Sequence, residues 1–262
     1  MASLSAWALS GIPEVQPGDD LAALIIAALD GAQLSDGQLV AIAHTAVSKA
    51  EGALIALAEV SPSERAREVA RRDDKDPRAV QVVLDESVEV LRSERGVLIC
   101  RTRHGFVCAN AGVDASNASA DGTSETLVLL PRDPDASARR IRARLRELAA
   151  AYTSTGERSA PAVLITDSFG RAWRHGQLDV AIGLAGMQPL DDWRGRTDSS
   201  GMELRATWLA VADAAAACAD LARAKDSREP VVIIDGLQRF LSVQDGPGAA
   251  ALLRPLQEDL FR

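Results

Sequence analysis

The residues from Asn110 to Asn117 read Asn-Ala-Gly-Val-Asp-Ala-Ser-Asn: two side-chain amides, a carboxylate and a glycine directly after an apolar, strand-like run. Such groups suit a metal or phosphate site, although Asn, Asp, Ser and Gly are also the ordinary residues of turns. A second stretch, Asp167 to Gly176 (Asp-Ser-Phe-Gly-Arg-Ala-Trp-Arg-His-Gly), also follows an apolar strand and also begins with a carboxylate. Two acidic strand ends can share one hard cation, because magnesium and manganese take oxygen ligands from a few carboxylates and complete their shell with phosphate and water. Asp114 and Asp167 are therefore candidate metal ligands, and Ser168 can add a hydroxyl. The alternative is that Asp114 caps a turn and Asp167 a helix. Lys49 offers a point charge to a phosphate, or is an ordinary surface lysine. Arg171, Arg174 and His175, with Arg101, Arg103 and His104, offer a cationic wall to a polyanionic substrate; an arginine-rich surface is the plainer reading. Trp173 offers a face for stacking on a flat ring, but the core is the plainer place for it.

These side chains need elements to hold them. Asp19-Asp20 suits the start of a helix whose apolar face is Leu21, Leu24, Ile25, Ala28 and Leu29. Leu39 to Thr45 reads as a buried strand delivering Thr45, Ser48 and Lys49 to a loop. Ser61-Pro62-Ser63-Glu64 reads as a capping box with proline in the first helical position. A second helix starts at Asp76-Pro77, with Val80, Val83, Leu84 and Leu91 on its buried side. Gly96 to Thr102, Gly105 to Ala109 and Leu127 to Leu130 read as strands. Asp133-Pro134-Asp135 opens a helix with Ile141, Leu145 and Leu148 on one face. Further strands are expected at Ala162 to Thr166, Val180 to Ala185 and Val231 to Ile234, and helices at Thr207 to Ala224 and from Pro247 to Phe261. Strands mixed with helices and joined by short turns predict an α/β protein of the α+β type, with a mixed, largely antiparallel sheet and flanking helices.

Composition narrows the function. The 262-residue chain is long enough for a sizeable core, and its formal net charge of -8 argues against a general nucleic-acid binder. Lysine occurs only as Lys49, Lys75 and Lys225, which makes each worth inspecting. The three cysteines, Cys100, Cys108 and Cys218, match neither a zinc ribbon nor a redox pair, so free thiols are expected. No signal-like or membrane-length segment is present, and a soluble cytoplasmic protein is expected. Phosphate-binding G-x-x-x-x-G-K-[ST], dinucleotide G-x-G-x-x-G, H-E-x-x-H and G-x-S-x-G motifs are absent, so a bound nucleotide would require an uncommon scaffold.

The chain resembles the coenzyme F420-0:gamma-glutamyl ligases, including the ligase half of the bifunctional actinobacterial enzymes. The matching residues run in order from Gly11-Ile12-Pro13 and Gly18-Asp19-Asp20-Leu21 through Val47 to Gly52, Pro62 to Ala66, Asn110 to Asn117 and Leu130 to Asp135. They continue through Asp167 to Gly176, Ala181-Ile182-Gly183 and Val211-Ala212-Asp213. The resemblance implies a GTP-dependent ligase that joins L-glutamate to the lactyl carboxylate of coenzyme F420-0 through an acyl phosphate, with Mn2+ or Mg2+ and K+ as a further cation. By position it implies Asp114, Asp167 and Ser168 as metal ligands, and Ile12, Pro13, Glu14, Val15, His44, Thr45, Lys49, Asn117 and Lys225 as nucleotide contacts. It also implies a homodimer, with residues 1–262 forming one ligase unit of two interleaved subdomains and without a reductase domain.

Three positions depart from the pattern. His44 stands where a small hydroxyl residue is expected, and Asp235 where arginine is usual. Lys225 stands where the family places an acidic or amide ligand for a second metal. Either the register slips and Asp226 serves, or Lys225 supplies its own positive charge in that metal's place. The departures keep two other readings open: a protein that binds the nucleotide or the deazaflavin without turnover, and a metal-dependent phosphohydrolase using the same two carboxylates.

Overall fold

The computed structural model describes residues 3–114, 126–148 and 160–259. In chain order the strands and α-helices are β1 (Ser5–Ala8), α1 (Leu21–Ala28), β2 (Gln38–Ala43), α2 (His44–Ala50), β3 (Leu54–Ala56), α3 (Glu64–Asp73), α4 (Pro77–Asp85), β4 (Ser87–Glu94), β5 (Val97–Thr102), β6 (Val107–Ala109) and β7 (Thr126–Val128). They continue with α5 (Pro134–Leu148), β8 (Ala162–Arg171), β9 (Arg174–Ala185), β10 (Asp191–Asp192), β11 (Trp208–Leu209), α6 (Val211–Ala222) and β12 (Val231–Asp235).

The main sheet has five strands in the order β1-β12-β2-β8-β9. Among the described residues only β2 and β8 of this sheet run parallel, with Val40 opposite Val163 and Ile42 opposite Ile165; the other pairs are antiparallel. Alternate side chains of a strand leave on opposite faces, and here both faces are covered. Val40, Ile42, Val163, Ile165, Val231 and Ile233 pack with α1, α2 and α5 on one side. Leu39, Ala41, Leu164, Val232 and Ile234 pack with α6 on the other. That double burial is why these strands read as unbroken apolar runs. Close packing of α5 on β9 needs Gly183: a Cβ there would lie 2.4 Å from the Pro134 carbonyl oxygen.

Among the described residues, two smaller sheets sit in the segment between α2 and β8. One is β4-β5-β6, covered by α3 and α4, and the other pairs β3 with β7. The mixed, mostly antiparallel character expected from the sequence is what the chain adopts.

Several boundaries differ from expectation. The strand at residue 38 stops at Ala43, and His44, Thr45, Ser48 and Lys49 lie on α2 instead of a loop; Ala46 and Val47 are buried on that short helix. The first cap of α3 is Ser63, whose side chain accepts from Ala66 N, rather than Ser61. Leu91 lies on β4, because α4 ends before the β-branched Val88 and Val90, which favour a pleated surface. The stretch from Asp167 to Gly176 spans a hairpin, since β8 runs on to Arg171 and β9 begins at Arg174. Asp167 is thus within a strand, not at its end, and neither caps a helix nor ends an element. Trp173, at a positive φ of 58°, is 83% exposed at the tip of that hairpin, outside the core.

Trp208 and Leu209 pair with Asp192 and Asp191 before α6 starts at Val211, so the expected helix is shorter at its N-terminal end. The segment from Pro247 contains 3-10 turns at Ala249–Leu252 and Leu256–Glu258 in place of one helix. Ser5–Ala8 forms an edge strand that the sequence pattern did not signal. Among the described residues no helix is long and apolar enough to cross a membrane.

Candidate active site

A cavity of about 680 Å³ opens where the start of α2, the β6 end, the middle of the β8-β9 hairpin and the α6-β12 connection meet. Ile12, Pro13, Glu14, Val15, His44, Thr45, Lys49, Asp114, Asp167, Ser168 and Lys225 all line it. Asn117 falls outside the described residues. Five stretches far apart in sequence are therefore drawn to one place.

Asp114 is delivered by a tight turn. Asn110, Ala111 and Gly112 take positive φ values of 50°, 54° and 71° in succession. Left-handed backbone is costly for Ala111, which has a Cβ; its burial and the fit of Gly112 against Leu130 hold the turn in place. The chain then pairs with β7, Asp114 N donating to Val128 O at 2.9 Å and Val128 N to Asp114 O at 2.8 Å. Residues 110–114 thus form a 3-10 turn (Asn110–Gly112) followed by a single β-bridge.

Asp167 faces the cavity from β8. Its Oδ1 lies 3.3 Å from Nε2 of the buried His44 and accepts the Ser168 N–H at 2.7 Å. A local bulge places these residues: Ile165 pairs with Gly183 but Thr166 with Ala181, leaving Ile182 as the extra residue. The Ala181 N–H is taken by Asp213 Oδ1 of α6 at 2.9 Å. Burial pushes the Asp213 carboxyl up from its ordinary value, only partly offset by that N–H.

α2 sets Thr45 and Lys49 four residues apart on one face, as helical geometry requires, and Lys49 Nζ pairs with Glu14 of the loop before α1. Cys108 also lines the cavity; burial and the nearby Asp167 charge push its thiol up to about 12, so it stays protonated at neutral pH.

Residues that sequence reasoning missed sit beside them. Asp179 is fully buried on β9 directly opposite Ser168. Its carboxylate accepts from Thr166 Oγ1 at 2.7 Å, from Ser168 Oγ at 2.6 Å and from Arg223. Burial raises its pKa, but the Ser168 hydrogen bond and the Arg223 charge outweigh it, and the net direction is down. A lone carboxylate inside the apolar run Leu178 to Ala185 was the available signal. Arg223 and Arg228 also line the cavity.

Of the two alternatives for the α6-β12 connection, Lys225 lines the cavity and Asp226 does not. Asp235, the other departure, lies away from the cavity at the end of β12, where it accepts from Gln38 Nε2 at 3.1 Å. The expected cationic wall is divided. Arg101 and Arg103 are spent on Glu89 and Glu86, and His104 contacts the Pro131 carbonyl oxygen at 3.0 Å.

No group of three or more His, Cys, Asp or Glu side chains converges among the described residues. Two carboxylates lining the same cavity, Asp114 and Asp167, nonetheless fit a hard cation that keeps water and phosphate oxygens in most of its shell. Ser168 is differently placed, its hydroxyl already bonded to Asp179 and, at 2.7 Å, to Lys225 Nζ.

The family described as F420-0:Gamma-glutamyl ligase matches residues 11–236. The chain is 44% identical to a coenzyme F420:L-glutamate ligase from Methanothermobacter thermautotrophicus, over 99% of each chain. It is 45% identical to one from Methanopyrus kandleri, over 95% of this chain and 94% of the relative. A third, from Halobacterium salinarum, is 41% identical over 99% of this chain and 96% of its own length. With a family match over most of its length and relatives this similar from end to end, the chain belongs to the F420-0:gamma-glutamyl ligase family.

Proposed function

We propose that the protein is a coenzyme F420-0:L-glutamate ligase that uses GTP and one divalent cation, Mn2+ or Mg2+. The lactyl carboxylate attacks the terminal phosphorus of GTP; the new O–P bond replaces the bond to the GDP oxygen, giving an acyl phosphate and GDP. The glutamate amine then attacks the acyl carbon, an amide forms, the amine loses a proton and inorganic phosphate leaves. Repetition adds further glutamates through gamma linkages.

The observation that carries this reading is the meeting of Asp114, Asp167, Lys49 and Lys225 in one cavity from four separate stretches of chain. Phosphoryl transfer asks mostly for positioning and charge compensation, and little covalent chemistry from the protein. Asp114 and Asp167 would hold the cation, which when bound supplies Lewis-acid compensation for charge developing on the phosphoryl oxygens. His44 fixes the Asp167 carboxylate through its 3.3 Å contact. Lys49 is kept beside the loop of Ile12 to Val15 by Glu14, where a nucleotide would lie against that loop and Thr45. Residues 1–262 act in this reading as one catalytic unit, paired with a second copy as a homodimer, with no role for nucleic acid or a membrane.

The test is to incubate the protein with coenzyme F420-0, L-glutamate, GTP and Mn2+ or Mg2+ and to follow product mass. Increments of one glutamyl residue, dependent on GTP and metal and lost in Asp114→Asn, are expected. GTP breakdown without an adduct would favour a phosphohydrolase. Tight ligand binding with no turnover of either kind would make the protein a binding module.

A further inference from the structure

The end of the cavity formed by β8, β9 and the α6-β12 connection is organised around a buried carboxylate and two cations. Asp179 Oδ2 accepts from Thr166 Oγ1 at 2.7 Å and from Arg223 Nη2. Its Oδ1 accepts from Ser168 Oγ at 2.6 Å and faces Lys225 Nζ at 3.6 Å. Arg223 donates also to Thr166 Oγ1 at 2.9 Å and to the Pro230 carbonyl oxygen at 3.2 Å. Lys225 Nζ donates to Ser168 Oγ at 2.7 Å and pairs with Asp220 Oδ1 at 3.0 Å.

The direction of these bonds decides what the site can take. A hydroxyl has one proton. Thr166 and Ser168 each spend theirs on Asp179 and turn an oxygen lone pair toward a cation, so neither can donate to a ligand. An ammonium has three donors, of which Ser168 and Asp220 take two. Arg223 is nearly buried and bound to Asp179, whereas the Lys225 side chain is 67% exposed at the cavity. A donor available to a ligand therefore remains on Lys225, while a divalent cation on the Ser168 oxygen would stand against an ammonium 2.7 Å away and be repelled.

We propose that Lys225, positioned by the Asp179-Ser168 pair and backed by Arg223, is a phosphate-binding residue that donates to a polyphosphate oxygen at this end of the cavity, and that Ser168 serves as its anchor instead of as a metal ligand. The proposal rests on the phosphoryl-transfer reading for its ligand, but it can be tested apart from ligation. One fixed charge at Lys225 and one divalent cation at Asp114 and Asp167 then share the neutralisation of a triphosphate. Lysine suits this as a point charge on a flexible stem, held here by an anchor that limits its wandering.

The experiment is calorimetric titration of inorganic tripolyphosphate, and separately of GTP, into wild-type protein, Lys225→Met and Lys225→Arg at fixed Mn2+. Lys225→Met is expected to weaken tripolyphosphate binding about 10- to 100-fold, the scale of one lost charge-assisted hydrogen bond. It should also flatten the salt dependence of binding, while Lys225→Arg stays within several-fold of wild type. Because the side chain is exposed, both variants should melt with the wild type. Equal tripolyphosphate affinity in wild type and Lys225→Met would overturn the proposal, as would a wild type that takes no polyphosphate at all. Lys225-dependent binding of tripolyphosphate with no binding of GTP would uphold the phosphate site and remove the nucleotide reading.

Discussion

His44 Nε2 stands 3.3 Å from Asp167 Oδ1, at the point where α2 meets β8 in the cavity lining. The Ser168 N–H falls on the same oxygen at 2.7 Å, so both contacts hold Oδ1 and leave Oδ2 as the oxygen available to a cation. Partners of metal-binding carboxylates commonly matter 10- to 100-fold in metal affinity. His44→Ala is therefore expected to weaken Mn2+ binding by about that factor, with His44→Asn recovering part of it. Direct titration of the metal, without substrates, measures both; unchanged affinity in His44→Ala would show that Asp167 needs no such support.

Asp179 and Arg223 form a buried pair, with side chains 1% and 10% exposed. Removing one partner of such a pair leaves an uncompensated charge and costs about 3–5 kcal/mol. Asp179→Ala should lose stability on that scale in urea, and replacing Arg223 by Met in the same chain should restore part of it. The pH sign follows from the lowered carboxyl. Its contribution is complete above the ordinary value of 3.8 and disappears as pH falls through the lower folded value. Wild type should thus converge on Asp179→Ala only in acid below about pH 4; a stability gap that is the same at pH 7 and at pH 2 would contradict this.

Asp213 has the opposite sign. Burial raises its carboxyl above 3.8, so the folded state favours the protonated form, and stability present below that value is lost as pH rises through the folded value. Asn keeps an oxygen for the Ala181 N–H and cannot ionise. Asp213→Asn should therefore gain on wild type between pH 3 and pH 7 in paired thermal melts, and a difference in melting temperature independent of pH would count against it.

Gly183 tests the packing of α5 on β9. A methyl there would meet the Pro134 carbonyl carbon at 2.6 Å and its oxygen at 2.4 Å, backbone atoms that cannot rotate away. Gly183→Ala should destabilise by about 1–3 kcal/mol, the usual range for overpacking. A denaturation midpoint equal to wild type would mean that α5 is free to move outward.

What the sequence revealed depended on whether the signal was local. Asp20, Asp76 and Asp133 mark helix starts by side chains that accept nearby backbone N–H groups, and each sits where it was expected. Strands β2, β8 and β12 were legible because both their faces are buried. The helix at His44 was not, since its first residues continue an apolar strand and nothing local separates them. Leu91 was misplaced for a similar reason: its spacing from Leu84 suits a helix, while pairing with β5 decided the outcome.

The same contrast holds for the cavity. Asp114 and Asp167 stood out by their position after apolar runs, and Lys225 by its rarity. Asp179, Thr166 and Arg223 carry no motif, and their roles arise from pairing across β8 and β9 and from the path of the chain after α6. The three cysteines are free, as expected, with Cys100 and Cys108 buried.

The strand order β1-β12-β2 has a bearing on how the chain folds. β12 lies between the first two strands, although more than two hundred residues separate it from β1. A nascent chain that has not yet emerged as far as Val231 has no partner for β1 and leaves one side of β2 unpaired. Long-range pairing of this sort slows folding and exposes unpaired strand edges while it waits. Synthesis should therefore pass through an interval in which β2, β8 and β9 can pair while β1 still lacks its neighbour and the β2 edge stands open, and truncation just before β12 should yield aggregates.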